Sequence, residues 1–351
     1  MSRPCASSAF ALARTENAVS VPRRPIRPAS FTRPSLFRTG PPALHHGSDA
    51  VSSGRSWWPG KRPGVTVFEG RSLVAERNDG LRFDLAAFDL DGTLLRRDLE
   101  ITDRAVAALN GLRERGVRLV IATGRRYESA VEHARRLGFG GEDPVVCYGG
   151  SMVRRMGGET LLHRTLPKPL GLEALEWAAE RGLHARVLVD GRVITSRDSP
   201  AAVRFMRRFE EPGGVVVDSP SEWLANGGEE PTKLVIVDHP DDVEGWLKEA
   251  QDAFRGRLFV TRSLPHYVEV GGIEGTKSRA LGFLCERWGI DRERVLAFGD
   301  ADNDVDMLRF AGCGVAVGPM TDGVREAADE VVPNVDEDGV ARFVERLLRS
   351  A

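Results

Sequence analysis

Acidic side chains gather where apolar segments of this sequence end. Asp89 and Asp91 directly follow one apolar segment, and Asp300 and Asp304 closely follow another, at residues 295–298. Carboxylates at the ends of buried segments would repel one another unless a cation lay among them. Ligands that are all oxygen suit a hard ion, and Mg²⁺ commonly takes one or two carboxylates together with waters and phosphate oxygens. The acidic residues therefore indicate a magnesium site.

A hydroxyl and a glycine follow a third apolar segment. Thr123, Gly124 and Arg125 come directly after residues 118–122, and glycine lets a backbone N–H approach a ligand closely. Any one of these short motifs is more often only a turn or a helix cap. In open α/β sheets, however, ligands bind beyond the carboxyl ends of the strands. The joint placement of these short motifs at the ends of three predicted strands argues against coincidence.

The segments that carry these residues alternate between strand and helix. Continuous apolar runs of three or four residues predict buried strands, and the stretches between them have helical spacing. In the first helix, Thr102 stands where an N-cap belongs and Gly116 follows as the C-cap. We therefore predict an α/β fold, a doubly wound, Rossmann-like parallel sheet covered by helices on both faces.

The middle of the chain has a different pattern. Two alternating runs flank Asp190 and Gly191, which is typical of a hairpin, and further strands and one amphipathic helix follow. This pattern predicts a smaller α+β module at residues 167–265, inserted into the α/β domain. That domain would then consist of residues 81–166 and 266–351.

Residues 1–80 form a basic extension rich in Ser, Pro and Arg. They show no sustained period of a strand or a helix, so we predict disorder. The composition also suits a targeting segment, because it is rich in Arg and Ser and poor in acids. A tail without function, or a start assigned too far upstream, is the alternative that we favour.

The charge balance excludes some classes of partner. The extension has twelve basic and five acidic residues, whereas residues 81–351 have 37 basic and 46 acidic residues. A nucleic-acid-binding protein would place its positive charge on the folded body, so we expect no nucleic-acid partner. No apolar run is long enough to span a membrane, and four scattered cysteines suit a reduced, cytoplasmic protein. The oligomeric state stays open.

Four segments together resemble the motifs of the haloacid dehalogenase (HAD) superfamily. The first is "DLDGTL" at residues 89–94, the second is "IATGR" with Thr123, the third is "EGTKSRAL" with Lys277, and the fourth is "GDADNDVDML" with Asp300 and Asp304. Their order, their spacing and the insertion between the second and third motifs resemble the Cof-type subfamily, which has an α+β cap. The resemblance covers residues 83–351.

This resemblance implies a Mg²⁺-dependent phosphatase that acts on a small phosphorylated metabolite, such as a sugar phosphate or a phosphorylated cofactor. Asp89 would be the nucleophile that forms an aspartyl phosphate, and Asp91 the general acid and base. Mg²⁺ would be held by Asp89, the backbone carbonyl of Asp91, Asp300 and, in or near its coordination sphere, Asp304.

The phosphoryl oxygens would be held by Thr123, Gly124, Lys277 and Asn303. Lys277 is one of only five lysines, which makes its position before a predicted helix informative. Arg125 suits a pairing with an acidic site residue or with substrate, and equally an ordinary salt bridge.

Two alternatives use the same residues. A phosphomutase would return the phosphoryl group to the substrate, and a non-catalytic protein would only bind a metabolite. The cap residues that set specificity are not evident from the sequence. Lys233 and Arg186 suit an anion contact, but solvated surface charge is the reading that we favour for both.

Overall fold

The computed structural model describes residues 80–196 and 214–350. The predicted disordered extension lies outside the described residues, apart from residue 80. The strands are β1 (Leu85–Phe88), β2 (Arg118–Ala122), β3 (Pro144–Cys147), β4 (Met152–Arg155), β5 (Thr160–His163), β6 (His184–Val189), β7 (Arg192–Ser196), β8 (Gly214–Val217), β9 (Lys233–Val237), β10 (Leu258–Thr261), β11 (Tyr267–Gly272), β12 (Val295–Gly299), β13 (Cys313–Val317) and β14 (Glu330–Val332). The α-helices are α1 (Asp103–Glu114), α2 (Tyr127–Arg136), α3 (Lys168–Glu180), α4 (Pro220–Ala225), α5 (Pro240–Ala253), α6 (Lys277–Trp288), α7 (Val305–Phe310), α8 (Asp322–Ala327) and α9 (Gly339–Ser350).

Among these residues, eight strands form one sheet in the order β14-β13-β12-β1-β2-β3-β4-β5. The six strands from β14 to β3 are parallel, and β4 and β5 continue the sheet as antiparallel strands. All four residues of β1 are buried, as expected for a parallel strand covered on both faces. Apolar side chains of α1, α2 and α9 pack on one face, and those of α6, α7 and α8 on the other. The predicted doubly wound α/β fold is confirmed.

The two central strands, β1 and β12, pack against each other through aromatic side chains. Phe88 of β1 pairs with Phe298 of β12, and their rings stack with centroids 5.0 Å apart. The ring of Phe343 in α9 meets Phe298 edge-on at 5.4 Å. This packing fixes the relative position of β1 and β12, so the residues that follow them emerge side by side.

The helix α1 begins at the residue that the sequence predicts and ends one residue before the predicted end. The Thr102 side chain accepts a hydrogen bond from the Ala105 N–H and so caps the helix, which runs from Asp103 to Glu114. Gly116 follows the last turn with a φ of +77°, a left-handed conformation that glycine adopts without strain. The predicted N-cap is therefore confirmed, whereas the C-cap is Arg115 and Gly116 is the residue after it.

A second sheet is built from the middle of the chain. Its order is β10-β11-β9-β6-β7-β8, with antiparallel neighbours except for the parallel pair of β7 and β8. Side chains of α3, α4 and α5 cover one face. On the other face, Leu188, Val235 and Val237 pack into the hydrophobic core of the first sheet. This second sheet is consistent with an inserted α+β cap.

The second sheet continues past residue 265, where the sequence suggests that the insert ends. Its strand β11 runs from Tyr267 to Gly272 and lies between β10 and β9. We therefore propose that the inserted segment ends after Gly272. Within the described ranges, none of the helices has the length and apolar character that crossing a bilayer demands.

Candidate active site

The turn after β1 places Asp89 beside the end of β12. The Asp89 N–H donates to the Phe298 carbonyl at 3.0 Å, and the chain then turns through Gly92, which has a φ of +87°. A Cβ on Gly92 would lie 2.4 Å from Oδ2 of Asp300, so this position has no room for a side chain. The next residue, Thr93, donates its hydroxyl to Asp300 Oδ1 at 2.7 Å. The turn is thereby joined to the acidic loop after β12.

Three carboxylates converge at this point. One oxygen each of Asp89, Asp300 and Asp304 lie within 4.8 Å of one another, and Asp304 is fully buried. Asp304 is held by the backbone, because its Oδ2 accepts from the N–H groups of Asp300 and Ala301 at 3.1 Å each. A set of close, oxygen-only ligands fits a hard divalent cation such as Mg²⁺.

Lys277 supplies a positive charge inside this acidic cluster. It is the first residue of α6, after the N-cap Thr276, and its side chain has no exposed surface. The ammonium lies 2.5 Å from Asp89 Oδ1 and 2.6 Å from Asp304 Oδ1. Lys277 thus compensates one of the three negative charges and holds two of the carboxylates in place.

The burial of the cluster changes how its groups titrate. The pKa of Asp89 is raised to about 7, mainly by burial, which Lys277 opposes and which the charges of Asp304 and Asp91 reinforce. Burial also raises the pKa of Asp300 to about 9, helped by Asp89 and Asp304. Burial by itself would lower the pKa of Lys277, but Asp304 and Asp89 outweigh it and hold that pKa above its usual range. The protein alone therefore undercompensates the negative charge of this site.

Asp91 lies outside the group of three carboxylates. Its Oδ1 and Oδ2 accept from the Arg125 guanidinium at 2.6 and 2.7 Å, which is a bidentate ion pair. The same guanidinium donates to Ser129 Oγ at 3.0 Å. Of the pairings that the sequence left open for Arg125, the structure contains the one with an acidic candidate site residue.

The loop of Thr123, Gly124 and Arg125 is held by its carbonyl groups. The Thr123 carbonyl accepts from the Gly149 N–H at 2.9 Å, and the Arg125 carbonyl accepts from the Tyr148 N–H at 2.8 Å. Thr123 is buried, and its hydroxyl accepts from the Arg125 N–H at 3.2 Å. Backbone contacts from the core therefore fix both ends of this loop.

The second sheet also reaches the loop, through residues whose involvement the sequence did not reveal. Lys233 donates to the Gly124 carbonyl at 2.9 Å and to Glu269 Oε2 at 2.8 Å. The expectation that Lys233 and Arg186 are solvated is wrong, because both are buried on the face that packs against the core. Glu269 is not among the site residues that the sequence predicts. Its position as a charged residue in the middle of the apolar strand β11 is the signal that could have revealed it.

The structure thus gathers most of the predicted site residues at one end of the first sheet. Asp89, Asp304 and Lys277 are buried and form one cluster with Asp300, which is partly exposed. Thr123 and Gly124 form a neighbouring loop, and Asn303 is buried with its amide nitrogen 3.5 Å from where a Cβ on Gly124 would lie. Asp91 is held to one side of the three carboxylates by its ion pair.

Comparison with known families identifies the chain's relatives. A model of the haloacid dehalogenase-like hydrolases matches residues 86–344. The chain is 30% identical over 268 residues to a 5-amino-6-(5-phospho-D-ribitylamino)uracil phosphatase, YitU, of Bacillus subtilis strain 168, covering 74% of this chain and 96% of the relative.

Two further matches span similar lengths. The pyridoxal phosphate phosphatase YbhA of Escherichia coli K12 is 26% identical over 265 residues, which is 74% of this chain and 96% of the relative. A solved structure described as a HAD/COF-like hydrolase from Plasmodium vivax superposes with a TM-score of 0.69 at 23% identity, covering 78% of this chain and 98% of that one. At that identity, the second likeness concerns the fold alone.

Proposed function

The chain belongs to the haloacid dehalogenase-like hydrolases, and from this membership we propose that it is a Mg²⁺-dependent phosphatase that uses Asp89 as its nucleophile. One observation carries the proposal. Asp89 stands at the end of the central strand β1, buried, within one cluster with two further carboxylates and the Lys277 ammonium. A structural ion pair would need only one carboxylate for that lysine.

Asp89, Asp300 and Asp304 suit the metal because they bring three carboxylates within 4.8 Å with a single lysine to offset them. The backbone carbonyl of Asp91 would be a further ligand of the metal ion. When bound, the ion neutralises the carboxylates and the phosphate oxygens, so that an anionic nucleophile and an anionic substrate can approach each other. Thr93 would orient Asp300 toward it through the 2.7 Å hydrogen bond.

The reaction would proceed in two displacements at phosphorus. A carboxylate oxygen of Asp89 attacks the phosphorus, the ester P–O bond breaks, and the leaving oxygen takes a proton from Asp91. In the second step, Asp91 takes a proton from water, the water oxygen attacks the phosphorus of the aspartyl phosphate, and the bond between phosphorus and the Asp89 oxygen breaks. The products are an alcohol and inorganic phosphate, with Asp89 regenerated.

The remaining predicted residues would bind the phosphoryl group. Lys277 lies between Asp89 and Asp304 and would offset the charge of the phosphoryl oxygens as they reach Asp89. Thr123 and Gly124 would offer a hydroxyl and a backbone N–H, and the Asn303 amide lies next to Gly124. Positioning and charge neutralisation would thus supply most of the catalysis.

We infer that the substrate is a small phosphorylated metabolite. The two curated relatives carry the names of phosphatases for a phosphoribityl pyrimidine and for pyridoxal phosphate. In this chain the second sheet packs its inner face against the core and contacts the Gly124 loop. A substrate enclosed between these two parts must be small, which supports a metabolite over a phosphoprotein.

The test is phosphate release from a panel of phosphorylated sugars, nucleotides and cofactors, with Mg²⁺ and with EDTA. We expect release from at least one compound, its loss in EDTA, and no turnover by Asp89→Asn. Isomerised substrate without free phosphate would instead indicate a phosphomutase. Absence of any Mg²⁺-dependent reaction across the panel would overturn the proposal.

A further inference from the structure

A buried ion pair lies on the inner face of the second sheet. Lys233 and Glu269 occupy the neighbouring strands β9 and β11, and their side chains are 4% and 8% exposed. The Lys233 ammonium lies 2.8 Å from Glu269 Oε2. Residues alternate between the two faces of a strand, and Val235, two positions from Lys233, packs into the first sheet's core. The pair therefore faces the core, away from the helices of its own sheet.

The ion pair is bonded to the loop that follows β2. Lys233 donates to the carbonyl of Gly124 at 2.9 Å, and Glu269 Oε1 accepts from the Ser263 hydroxyl. A Cβ on Gly124 would lie 3.5 Å from Glu269 Oε1, Ser263 Cβ and the Asn303 amide nitrogen. The second sheet and the core thus meet around this one glycine.

The bond to Gly124 completes the fixation of the loop. Of three successive carbonyls, those of Thr123 and Arg125 accept from backbone N–H groups of the core, and the middle one accepts from Lys233. The peptide between Gly124 and Arg125 is consequently held by a side chain of the second sheet. Its orientation depends on that sheet being seated on the core.

A contribution to the stability of the fold does not by itself explain why a buried ion pair is present here. Two apolar side chains of similar volume are often as stabilising in a protein interior as a buried ion pair, because removing charges from water is costly. The pair adds what apolar residues cannot, a donor directed at the backbone next to Thr123.

We propose that Lys233 is a positioning residue that makes the geometry of the Thr123–Gly124 loop depend on the seating of the second sheet, with Glu269 as its counter-ion. This inference rests on the proposed function, since that function gives the loop its role in binding phosphate. It makes Lys233 responsible for holding the phosphate site in place while the second sheet is packed on the core, without contacting the reacting atoms itself.

The decisive comparison is between a single and a double variant. Lys233→Met leaves Glu269 buried without its counter-ion, so we expect both lower stability and lower activity. Lys233→Met/Glu269→Leu removes both charges and should recover the melting temperature, yet it cannot restore the bond to Gly124. We therefore expect its kcat for p-nitrophenyl phosphate with Mg²⁺ to stay about 10- to 100-fold below the unmodified protein, with KM changed less.

Two further variants complete the set. Lys233→Arg retains a donor and should recover part of kcat. Asp190→Asn is the matched control, because it weakens the Arg154–Asp190 ion pair, which also joins the two sheets but does not touch the loop. We expect Asp190→Asn to keep its kcat. A double variant with full kcat would overturn the proposal and leave the pair with a purely structural role.

Amide hydrogen exchange tests the positioning role without reference to activity. In the double variant, residues 123–126 and 148–149 should exchange faster than in the unmodified protein, with exchange elsewhere in the first sheet unchanged. Unchanged exchange in this loop would contradict the inference. If the unmodified protein releases no phosphate from any ester, the proposed function fails, and the exchange measurement still decides whether Lys233 holds the loop.

Discussion

The Thr93 hydroxyl donates a 2.7 Å hydrogen bond to Asp300, joining two loops that are 207 positions apart in the chain. Thr93 is buried and has this contact in the turn that follows Asp91, whereas Asp300 begins the loop after β12. Because Asp300 is one of the three converging carboxylates, a neutral donor on its Oδ1 orients it without adding charge to the cluster. This hydrogen bond gives the turn after β1 a role in holding the candidate metal site.

Replacing Thr93 with Val should weaken metal binding. The substitution keeps the shape of the side chain but removes the donor to Asp300, and loss of such a supporting contact typically costs about 10- to 100-fold in metal affinity. We expect the Mg²⁺ concentration for half-maximal phosphate release to rise by at least about 10-fold. Thr93→Ser retains the hydroxyl and is the control. An unchanged Mg²⁺ requirement in Thr93→Val would show that Asp300 does not depend on this bond.

Replacing Arg125 should lower turnover through Asp91. The bidentate ion pair sets the orientation of the Asp91 carboxylate, and Arg125→Met leaves that carboxylate without its partner. We expect a loss of about 10- to 100-fold in kcat, because general acid–base catalysis contributes at least that much and depends on geometry. Steady-state kinetics with p-nitrophenyl phosphate, whose leaving group needs little protonation, should show a smaller loss than kinetics with an alkyl phosphate.

Ser129→Ala is the matched control for Arg125. It removes the 3.0 Å contact between the guanidinium and Ser129 Oγ but leaves the two bonds to Asp91 in place. Its kcat should stay within about threefold of the unmodified protein, a spread that corresponds to less than 1 kcal/mol. An equal loss for both phosphate esters in Arg125→Met would contradict a role through proton transfer.

The stability of the second sheet should fall as the pH is lowered below about 6.5. His184 in β6 is buried, its Nε2 lies 3.0 Å from Thr195 Oγ1, and burial together with Arg186 lowers its pKa to about 4. Between the ordinary value near 6.5 and about 4, the unfolded chain binds a proton that the folded chain does not, so protonation favours unfolding. The contribution amounts to at most about 3 kcal/mol.

Urea unfolding at pH 7.5, 6, 5 and 4.5 measures this effect. Other groups titrate over the same range, so the informative quantity is the difference between the unmodified protein and His184→Gln, which cannot take up the proton. We expect the unmodified protein to lose more unfolding free energy than the variant as the pH falls. Parallel pH profiles would show that His184 is protonated in the folded protein as readily as in the unfolded chain.

The sequence predicts much of this architecture, because strands and helix ends depend on local patterns of residues. The continuous apolar run of β1 predicts a strand buried on both faces, and Thr102 and Gly116 predict the ends of α1. The rule that parallel strands direct their carboxyl ends to one edge then brings Asp89 and Asp300 together without any knowledge of distances. The prediction that Asp89 and Asp300 lie close together is correct because β1 and β12 are paired neighbours in the sheet.

What the sequence does not contain is the partner of each buried charge. Lys233 and Glu269 meet because β9 and β11 are neighbours in a particular register, and that register depends on the packing of the whole sheet. Period-two alternation also stops at Phe88, where β1 ends. The direction of Asp91 is then set by the turn and by Arg125, so strand geometry cannot predict it.

Substituting Gly92 should damage the site more than the fold. Gly92 has a φ of +87°, and a Cβ there would lie 2.4 Å from Asp300 Oδ2 and 2.8 Å from Asp300 Cγ. Gly92→Ala must therefore move Asp300 or the turn, in addition to the backbone strain of about 1–3 kcal/mol. Because Asp300 is part of the carboxylate cluster, Mg²⁺-dependent activity should fall by more than about 100-fold, since misplacements near 1 Å cost about that much.

Gly141→Ala is the control for Gly92. It lies in the same folded unit, and a Cβ there would meet nothing within 4 Å. Circular dichroism should show both variants folded, with the melting temperature lowered only in Gly92→Ala, and isothermal titration with Mg²⁺ should show weakened binding in that variant alone. Retained Mg²⁺ binding in a folded Gly92→Ala protein would contradict the prediction that a Cβ at this position displaces Asp300 from the metal site.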